Sequence, residues 1–471
     1  MASVSKVSTI SKVFSKLGDN TGSVIPMYAK DVTSDTLTCY TYFKEGGNHD
    51  GAEKVLEEFG TGILWLGGIP WLKKHLFDNF VYKKKGINPD VDANRLFAGN
   101  DKNVADTVEF AKNKAESLGE AFKEQAKILG DTIKNKDSAK KLALAKFGVS
   151  TAITGLALYG IITLKQKRTE KAVEKQVKEK LAKEASLKNE LKENSVYQTF
   201  GKNKENSSKN PSFKGLANIG TFFMTNPVAN TTIVDGVITG TRLVQARKGE
   251  RFEVGLKEAC QLLFIYGLAK PMQDGMEFLS EKVFKKPIGL DYSVLDSDTL
   301  KNAIDSEKTK EGSSKLLQQA KKVIELAGDD KKVTNDNAKK VIDFLFDNAD
   351  GEMADVFKKT GDIGVYKTKE GVEQLSLLGK INTDKLKSTA QKTIDTIESA
   401  VKNSDTTKYL KNTKFLKGAA IIANIGISAI LLGYLQPKLN IALRKKFNNG
   451  DNTNPAIRNL TNEMEQKLAF K

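Results

Sequence analysis

Four long stretches without a charged residue interrupt a chain that is otherwise dense in charge. They cover residues 59–72, 147–164, 215–234 and 418–437. A membrane-spanning helix needs about 20 mostly apolar residues, whereas runs of about 10–14 are typical of core or interfacial helices. The runs at 147–164 and 418–437, each bounded by lysines, are the two candidate spans, whereas the run at 215–234 is interrupted by the helix-start sequence TNP.

The two candidate spans each carry a row of small residues at helical spacing. Helices in lipid associate by close backbone approach across such faces, so we predict that the two runs pack together. The predicted helix-packing faces consist of Gly148, Thr151, Ala152 and Gly155 in the first run, and Ala419, Ala423, Gly426, Ala429 and Gly433 in the second. The alternative is that both are buried helices of a large soluble core, which also lack charges.

The overall composition excludes a transporter with most of its residues in lipid. Apolar residues make up 39% of the chain and charged residues 28%, as in a soluble protein. The net charge is +17, yet only seven of the 75 basic residues are arginine, the better residue for gripping phosphates and base edges. We therefore expect an anionic lipid membrane as the partner and no nucleic acid.

Residues 1–100 combine three predicted features. The first is a basic amphipathic helix, with Val4, Val7, Ile10, Val13, Phe14 and Leu17 at helical spacing. The second is a small N-terminal β-hairpin, because residues 37–43 alternate in character after the turn-forming sequence KDVTSD. The third is an interfacial apolar segment with the aromatic and basic pattern of a membrane boundary, formed by Trp65, Trp71, Lys73 and Lys74.

The rest of the chain is predicted to be helical, so the fold class is mainly α, with long helices and apolar membrane-type segments. Residues 101–200 form a long helical region that contains the span 147–164 and a charged stalk at 165–194, and residues 201–212 form a linker. An apolar helical region follows at 213–290, then a soluble helical domain at 291–408. Residues 409–471 hold the span 418–437 and a basic C-terminal tail.

The inventory of catalytic groups is thin. The chain has two histidines, His49 and His75, and two cysteines, Cys39 and Cys260, with no neighbours at metal-ligand or catalytic-triad spacing. No phosphate-binding or dinucleotide-binding glycine motif is present. We therefore expect no enzyme activity, no cofactor and no metal, and we place the soluble parts in a reducing compartment.

Three functions remain open on the sequence. The first is a non-enzymatic membrane-associated scaffold at the cytoplasmic membrane, which meets a protein partner through the charged helix or the 291–408 domain. The second is a membrane-inserting pore-former or effector. The third is a soluble basic helical protein that binds nucleic acid.

Overall fold

The predicted mainly α-helical fold is confirmed by a computed structural model. The structure describes residues 8–19, 24–87, 89, 105–110, 112–113, 127, 135–190, 227–247, 249–309, 314–328, 335–347, 356–357, 366–367, 373–374, 383–447, 450–451 and 453–469. The predicted linker at 201–212 and the end of the predicted stalk at 191–194 lie outside these residues.

In the described part of the chain, the helices before residue 285 include α1 (Thr9–Gly18), α2 (Ile25–Glu45), α3 (Asn48–Ile63), α4 (Ile69–Leu72), α5 (Lys136–Glu190), α6 (Pro227–Gln245), α7 (Arg251–Gln261) and α8 (Ala269–Phe284). Those after it include α9 (Tyr292–Leu295), α10 (Asp298–Thr309), α11 (Lys315–Ala327), α12 (Asn335–Asp347), α13 (Thr383–Val401), α14 (Thr406–Ile430), α15 (Gln436–Phe447) and α16 (Pro455–Ala469). Described π-helical segments continue these helices at Leu64–Gly68, Lys73–Tyr82, Leu262–Gly267 and Leu431–Leu435.

The predicted N-terminal β-hairpin is wrong, because its residues form helix α2. Three threonines in this helix donate their hydroxyl hydrogens to the carbonyl four residues earlier, as Thr41 does to Leu37 at 2.8 Å. These bonds satisfy the polar side chains within the helix, and packing against α14 and the segment after it outweighs their strand propensity. Among the described residues the strands are two short antiparallel pieces, β1 (Tyr366–Lys367) and β2 (Glu373–Gln374).

The apolar run at 59–72 lies inside a helical stretch that continues from α3 through α4 to Tyr82. The backbone stays in the right-handed helical region at each junction, including Leu64, Ile69 and Lys73. Pro70 has no N–H to donate to the preceding turn, which accounts for a wider π-type turn just before it.

Helix α5 contains the first candidate span and continues into the predicted charged stalk. With 55 residues it is about 80 Å long at 1.5 Å per residue. The stalk is not a free helix, because Val173 and Val177 are buried against Ile457 of α16. Lys180 also donates to Glu465 of α16 at 2.8 Å. The last helix of the chain therefore covers the apolar stripe of the stalk.

Two regions with different interiors make up most of the described structure. We call helices α2 to α8 with α14 and α15 the bundle, and residues 291–401 the α9–α13 domain. The α9–α13 domain has one continuous apolar core, which includes Leu300, Ile304, Val323, Ile342 and Leu386. The apolar clusters inside the bundle are much smaller.

Helix α1 packs on the first residues of the α9–α13 domain through hydrogen bonds and one aromatic contact. Ser15 donates to Asp291 at 2.7 Å, and Phe14 stacks on Tyr292 with 4.9 Å between ring centroids. Partial burial acts to raise the pKa of Asp296, but hydrogen bonds from Lys414 and Ser11 outweigh it and lower this pKa below its usual value. Residues Ile10 and Val13 of α1 face outward.

Candidate functional site

The interior of the bundle is rich in buried charged side chains. Helix α3 contributes four of the buried acids, whereas α5, α14 and α15 each contribute one base. The buried charged residues are Lys30, Asp31, Asp35, Asp50, Glu53, Glu57, Glu58, Lys165, Asp235, Arg242, Glu250, Glu253, Lys257, Glu258, Lys417 and Arg444. Isolated charges are costly to bury, and most of the arginines and glutamates of this group form ion pairs. Lys30 and Asp35 form no ion pair with any described residue.

Arg242 on α6 is the centre of the network. Its guanidinium donates to Glu258 of α7 at 2.5 Å and to Glu58 of α3 at 3.1 Å. It also donates to the Thr61 hydroxyl at 3.0 Å, while Thr239 donates to the second oxygen of Glu258 at 2.8 Å. The planar arginine fork thereby joins three helices through directional, charge-assisted hydrogen bonds.

Lysines extend the network from Arg242 toward α5 and α7. Lys165 of α5 donates to Glu57 at 3.2 Å and lies 3.7 Å from Glu53. Lys257 of α7 donates to Glu58, so that carboxylate is shared between a lysine and Arg242. Each of these acids therefore faces at least one base.

A second arginine centre lies at the end of the bundle near α15. Arg444 holds Glu253 of α7 with two parallel bonds, Nε to Oε2 at 2.8 Å and Nη2 to Oε1 at 2.7 Å, and also pairs with Asp50. The Tyr42 hydroxyl donates to Glu253 at 2.5 Å. Helices α2, α3, α7 and α15 meet at this centre.

A cavity of about 20 Å³, roughly the space that one water needs, lies beside Arg444 between α3, α5 and the start of α7. Its lining residues are mostly charged and include Glu53, Lys54, Lys165 and Arg444. A second cavity of about 20 Å³ lies between α2, α8 and α14, where Lys417 donates to Glu277 at 3.2 Å. Lys30 borders this second cavity, and its buried Nζ has no hydrogen-bond partner.

The network joins helices of the bundle through paired charges. Its acids accept from arginine, lysine, threonine and tyrosine donors, and neither histidine belongs to it. His49 lies 2.6 Å from the amide of Gln176, and His75 lies beside Trp71. Among the residues that the structure describes, no group of three acidic, histidine or cysteine side chains is arranged to hold a metal ion.

The two predicted helix-packing faces do not pack against each other in the structure. Gly155 lies close to Val237 of α6. At Gly148, by contrast, a Cβ atom built onto the backbone would have no other atom within 4 Å. In the second face, Gly433 packs closely on the Ser34 backbone of α2 and Ala429 is also buried. Of the remaining members, Thr151 and Gly426 are half-buried, and Ala152, Ala419 and Ala423 are exposed.

The predicted interfacial residues lie on the helical stretch that follows α3. The Trp71 side chain is exposed and lies 5.1 Å from the His75 ring between centroids. Lys74 is exposed and Lys73 is half-buried. The side chain of Trp65 is outside the described set. Whether these residues meet a bilayer surface stays a prediction.

Sequence reasoning missed the ionic network, although two signals point to it. Glu53 and Glu57, and likewise Lys54 and Glu58, are four residues apart directly before an uncharged run. In addition, Arg242, Arg247 and Arg444 are rare arginines in a lysine-rich chain, and each forms an ion pair or hydrogen bonds inside the structure. Most of these pairs join helices that are about 100 to 400 residues apart, as Arg242 with Glu58 and Arg444 with Asp50, although Arg242 and Glu258 are only 16 residues apart.

Comparison with known proteins adds no relative. No protein-family description, no curated protein and no solved structure matches this chain. The candidate site is therefore interpreted from its own geometry.

Proposed function

We propose that the bundle is embedded in a lipid bilayer and that the protein is a non-enzymatic membrane scaffold that carries the α9–α13 domain at the membrane surface. The observation behind this proposal is an inversion of polarity between inside and outside. The bundle buries charged side chains and exposes large apolar ones, including Leu156 (72% exposed), Leu164 (69%) and Phe415 (73%). In water such a surface would drive aggregation, whereas lipid is its natural surrounding.

The dimensions of the exposed apolar surface support the same proposal. On α5 the strongly exposed large apolar residues run from Leu144 to Leu164, about 30 Å at 1.5 Å per residue. The hydrocarbon core of a bilayer is also about 30 Å thick. By length and composition, Lys136–Glu184 and Thr406–Phe447 are two helices that could cross a membrane, with apolar windows of mean hydropathy 1.7 and 1.9.

The low burial of these windows favours lipid over a soluble core. Only 28% of the window in α5 and 39% of the window in α14 and the segments after it is buried within the protein. A core helix of a soluble protein is covered on most of its surface. The ionic network fits the proposal as well, because charges inside a membrane bundle are tolerated when they face the interior and pair.

Membrane extraction tests this proposal directly. Cells that express the full chain are fractionated, and the membranes are washed with alkaline carbonate and then with detergent. We expect the protein to stay in the carbonate pellet and to dissolve only in detergent. Release of the protein by carbonate alone would overturn the membrane-embedded scaffold.

The polar interior also favours a second candidate, a membrane-inserting pore-former. Opening of the bundle along its ionic network would expose charged walls to ions. Purified protein added to liposomes that hold a fluorescent dye tests this function. Dye release that rises with the protein-to-lipid ratio supports the pore-former, and intact liposomes at every ratio exclude it.

A further inference from the structure

A groove of about 600 Å³ lies where the apolar exterior of the bundle ends and the α9–α13 domain begins. One wall is the last part of α8, from Phe278 to Lys285, and the other is the end of α13 with Lys402 just beyond it. No strongly exposed large apolar side chain lies between residues 285 and 414 in the described part of the chain. The groove therefore lies at the boundary between the apolar exterior of the bundle and the more polar surface of the α9–α13 domain.

The α8 wall of the groove is continuous with the apolar exterior. Phe278, Leu279 and Val283 are strongly exposed on this last part of the helix. Phe278 also lines the groove itself, and the Lys282 ammonium lies 4.6 Å from its ring centroid. An acyl chain that follows the outside of α8 would thus lead directly into the groove.

The charges in the groove are of both signs. Among the described residues, Asp395 accepts a hydrogen bond from Gln391 at 2.9 Å and Lys282 lies over the Phe278 ring. Lys282, Lys285 and Lys402 face the same space as Glu281 and Asp395. None of the five belongs to an ion pair with any residue that the structure describes. Because no opposite charge of the described chain neutralises these side chains, they can bind a ligand with charges of both signs.

Lys285 has an unusual backbone for a lysine. It ends α8 in the left-handed conformation, with φ 53° and ψ 35°, where glycine is normally preferred. A side chain in this region costs about 1 kcal/mol or more, and such strained residues cluster at functional sites. The strained turn holds the lysine at the rim of the groove.

We propose that this groove binds the headgroup of a zwitterionic phospholipid with a primary amine, that is, phosphatidylethanolamine. The three lysines face the phosphate, and Glu281 and Asp395 accept hydrogen bonds from the ammonium group. Phosphatidylglycerol has no cation for the two carboxylates, and the quaternary nitrogen of phosphatidylcholine has no N–H to donate. The inference rests on the membrane location proposed above and adds the identity of a bound lipid.

Lipid retention by the purified full chain tests the inference. The protein is extracted in mild detergent with equimolar phosphatidylethanolamine, phosphatidylcholine and phosphatidylglycerol, and bound lipids are counted by native mass spectrometry. We expect phosphatidylethanolamine to be retained preferentially. The variant Lys282→Gln/Lys285→Gln/Lys402→Gln should lose about tenfold in this retention, as expected for the loss of charge-assisted contacts worth about 1.4 kcal/mol.

Two further variants make the result specific. The matched control Lys321→Gln/Lys340→Gln/Lys387→Gln removes three lysines of the α9–α13 domain that do not line the groove and should retain lipid like the unmodified chain. The variant Glu281→Gln/Asp395→Asn keeps the lysines and should shift the preference to phosphatidylglycerol. Equal retention of the three lipids by the unmodified chain, or equal losses in both lysine variants, would overturn the inference.

Carbonate extraction of the same samples separates the two proposals. Retention in the carbonate pellet without lipid preference contradicts only the headgroup site. Release by carbonate contradicts the membrane location and the headgroup site with it.

Discussion

In the α9–α13 domain the fully enclosed side chains include Leu300 and Ile304, whereas in the bundle Glu58 and Lys30 are enclosed to the same degree. Outside, the pattern is reversed, because every strongly exposed large apolar residue among those described lies before residue 285 or after residue 414. One chain thus contains two opposite distributions of polarity.

Under the membrane location proposed above, this difference reflects the surroundings of each region and not residue type alone. In water, apolar area is removed from the solvent at about 25 cal/mol per Å², which places Leu300 and Ile304 inside. In lipid that driving force is absent, and the groups that need partners are the polar ones. The bundle has the arrangement expected of a lipid-facing region, and the α9–α13 domain that of a water-facing one.

The largest expected effect comes from removal of the central base of the network. The substitution Arg242→Met leaves Glu58 and Glu258 buried with fewer positive partners, and we expect it to destabilise the bundle by about 3–5 kcal/mol. Thermal and denaturant-induced unfolding in detergent measure the change. The control Arg458→Met removes an exposed arginine 3.8 Å from Asp451 and should cost less than about 0.5 kcal/mol. Equal losses in the two variants would contradict the role of the network.

A charge placed on the outer apolar face should be nearly as disruptive. The substitution Leu156→Asp puts a carboxylate on the exposed side of α5, at a cost of about 2.5–3.5 kcal/mol if that side faces lipid. The carbonate-resistant fraction should fall accordingly. Ala182→Asp, on the exposed stalk of the same helix, should leave this fraction unchanged. A more soluble and fully folded Leu156→Asp protein would indicate water at that surface.

A smaller effect is expected in the apolar core of the α9–α13 domain. The substitution Ile304→Val removes one methylene from a fully buried side chain and should cost about 0.5–1.5 kcal/mol. Ile427→Val, on the exposed face of α14, should be close to neutral in detergent. Unfolding midpoints of the two variants provide the measurement, and a larger loss at Ile427 would reverse the comparison.

The smallest effect concerns the pH dependence of α1 docking. The pKa of Asp296 is lower in the folded chain than in the unfolded chain, where it is about 4. The carboxylate therefore stabilises the folded chain above about pH 4, and this stabilisation is lost as the pH falls through the pKa of the folded state. Asp296 is partly exposed, so the change stays below about 1 kcal/mol. The hydrogen-exchange protection of Thr9–Gly18, measured relative to the intrinsic exchange rate at each pH, should fall in acid, and Asp296→Asn should lower this protection already at neutral pH. An unchanged exchange profile in the Asn variant would exclude this contact as the pH-dependent one.

Much of the secondary structure followed from local patterns, and one element did not. The uncharged run at 147–164 and the charge pairs of the stalk predicted a long helical region, and α5 contains the run and most of the stalk. For α2, the alternation from Leu37 to Phe43 and the threonines indicated strands, because the buried side of this helix is polar and its hydrophobic period is weak. Its helical state depends on contacts with residues about 400 positions later, such as Gly433.

The sequence by itself determined that the chain is mainly helical, that two helices are long and apolar enough to cross a membrane, and that few catalytic groups are available. These properties depend on neighbours along the chain. Only the tertiary structure decided that Arg242 meets Glu58 and Glu258, and that Gly155 and Gly433 approach different helices. The physical reason is that a charge or a small side chain can satisfy its needs with many partners, and the packing of distant helices selects among them.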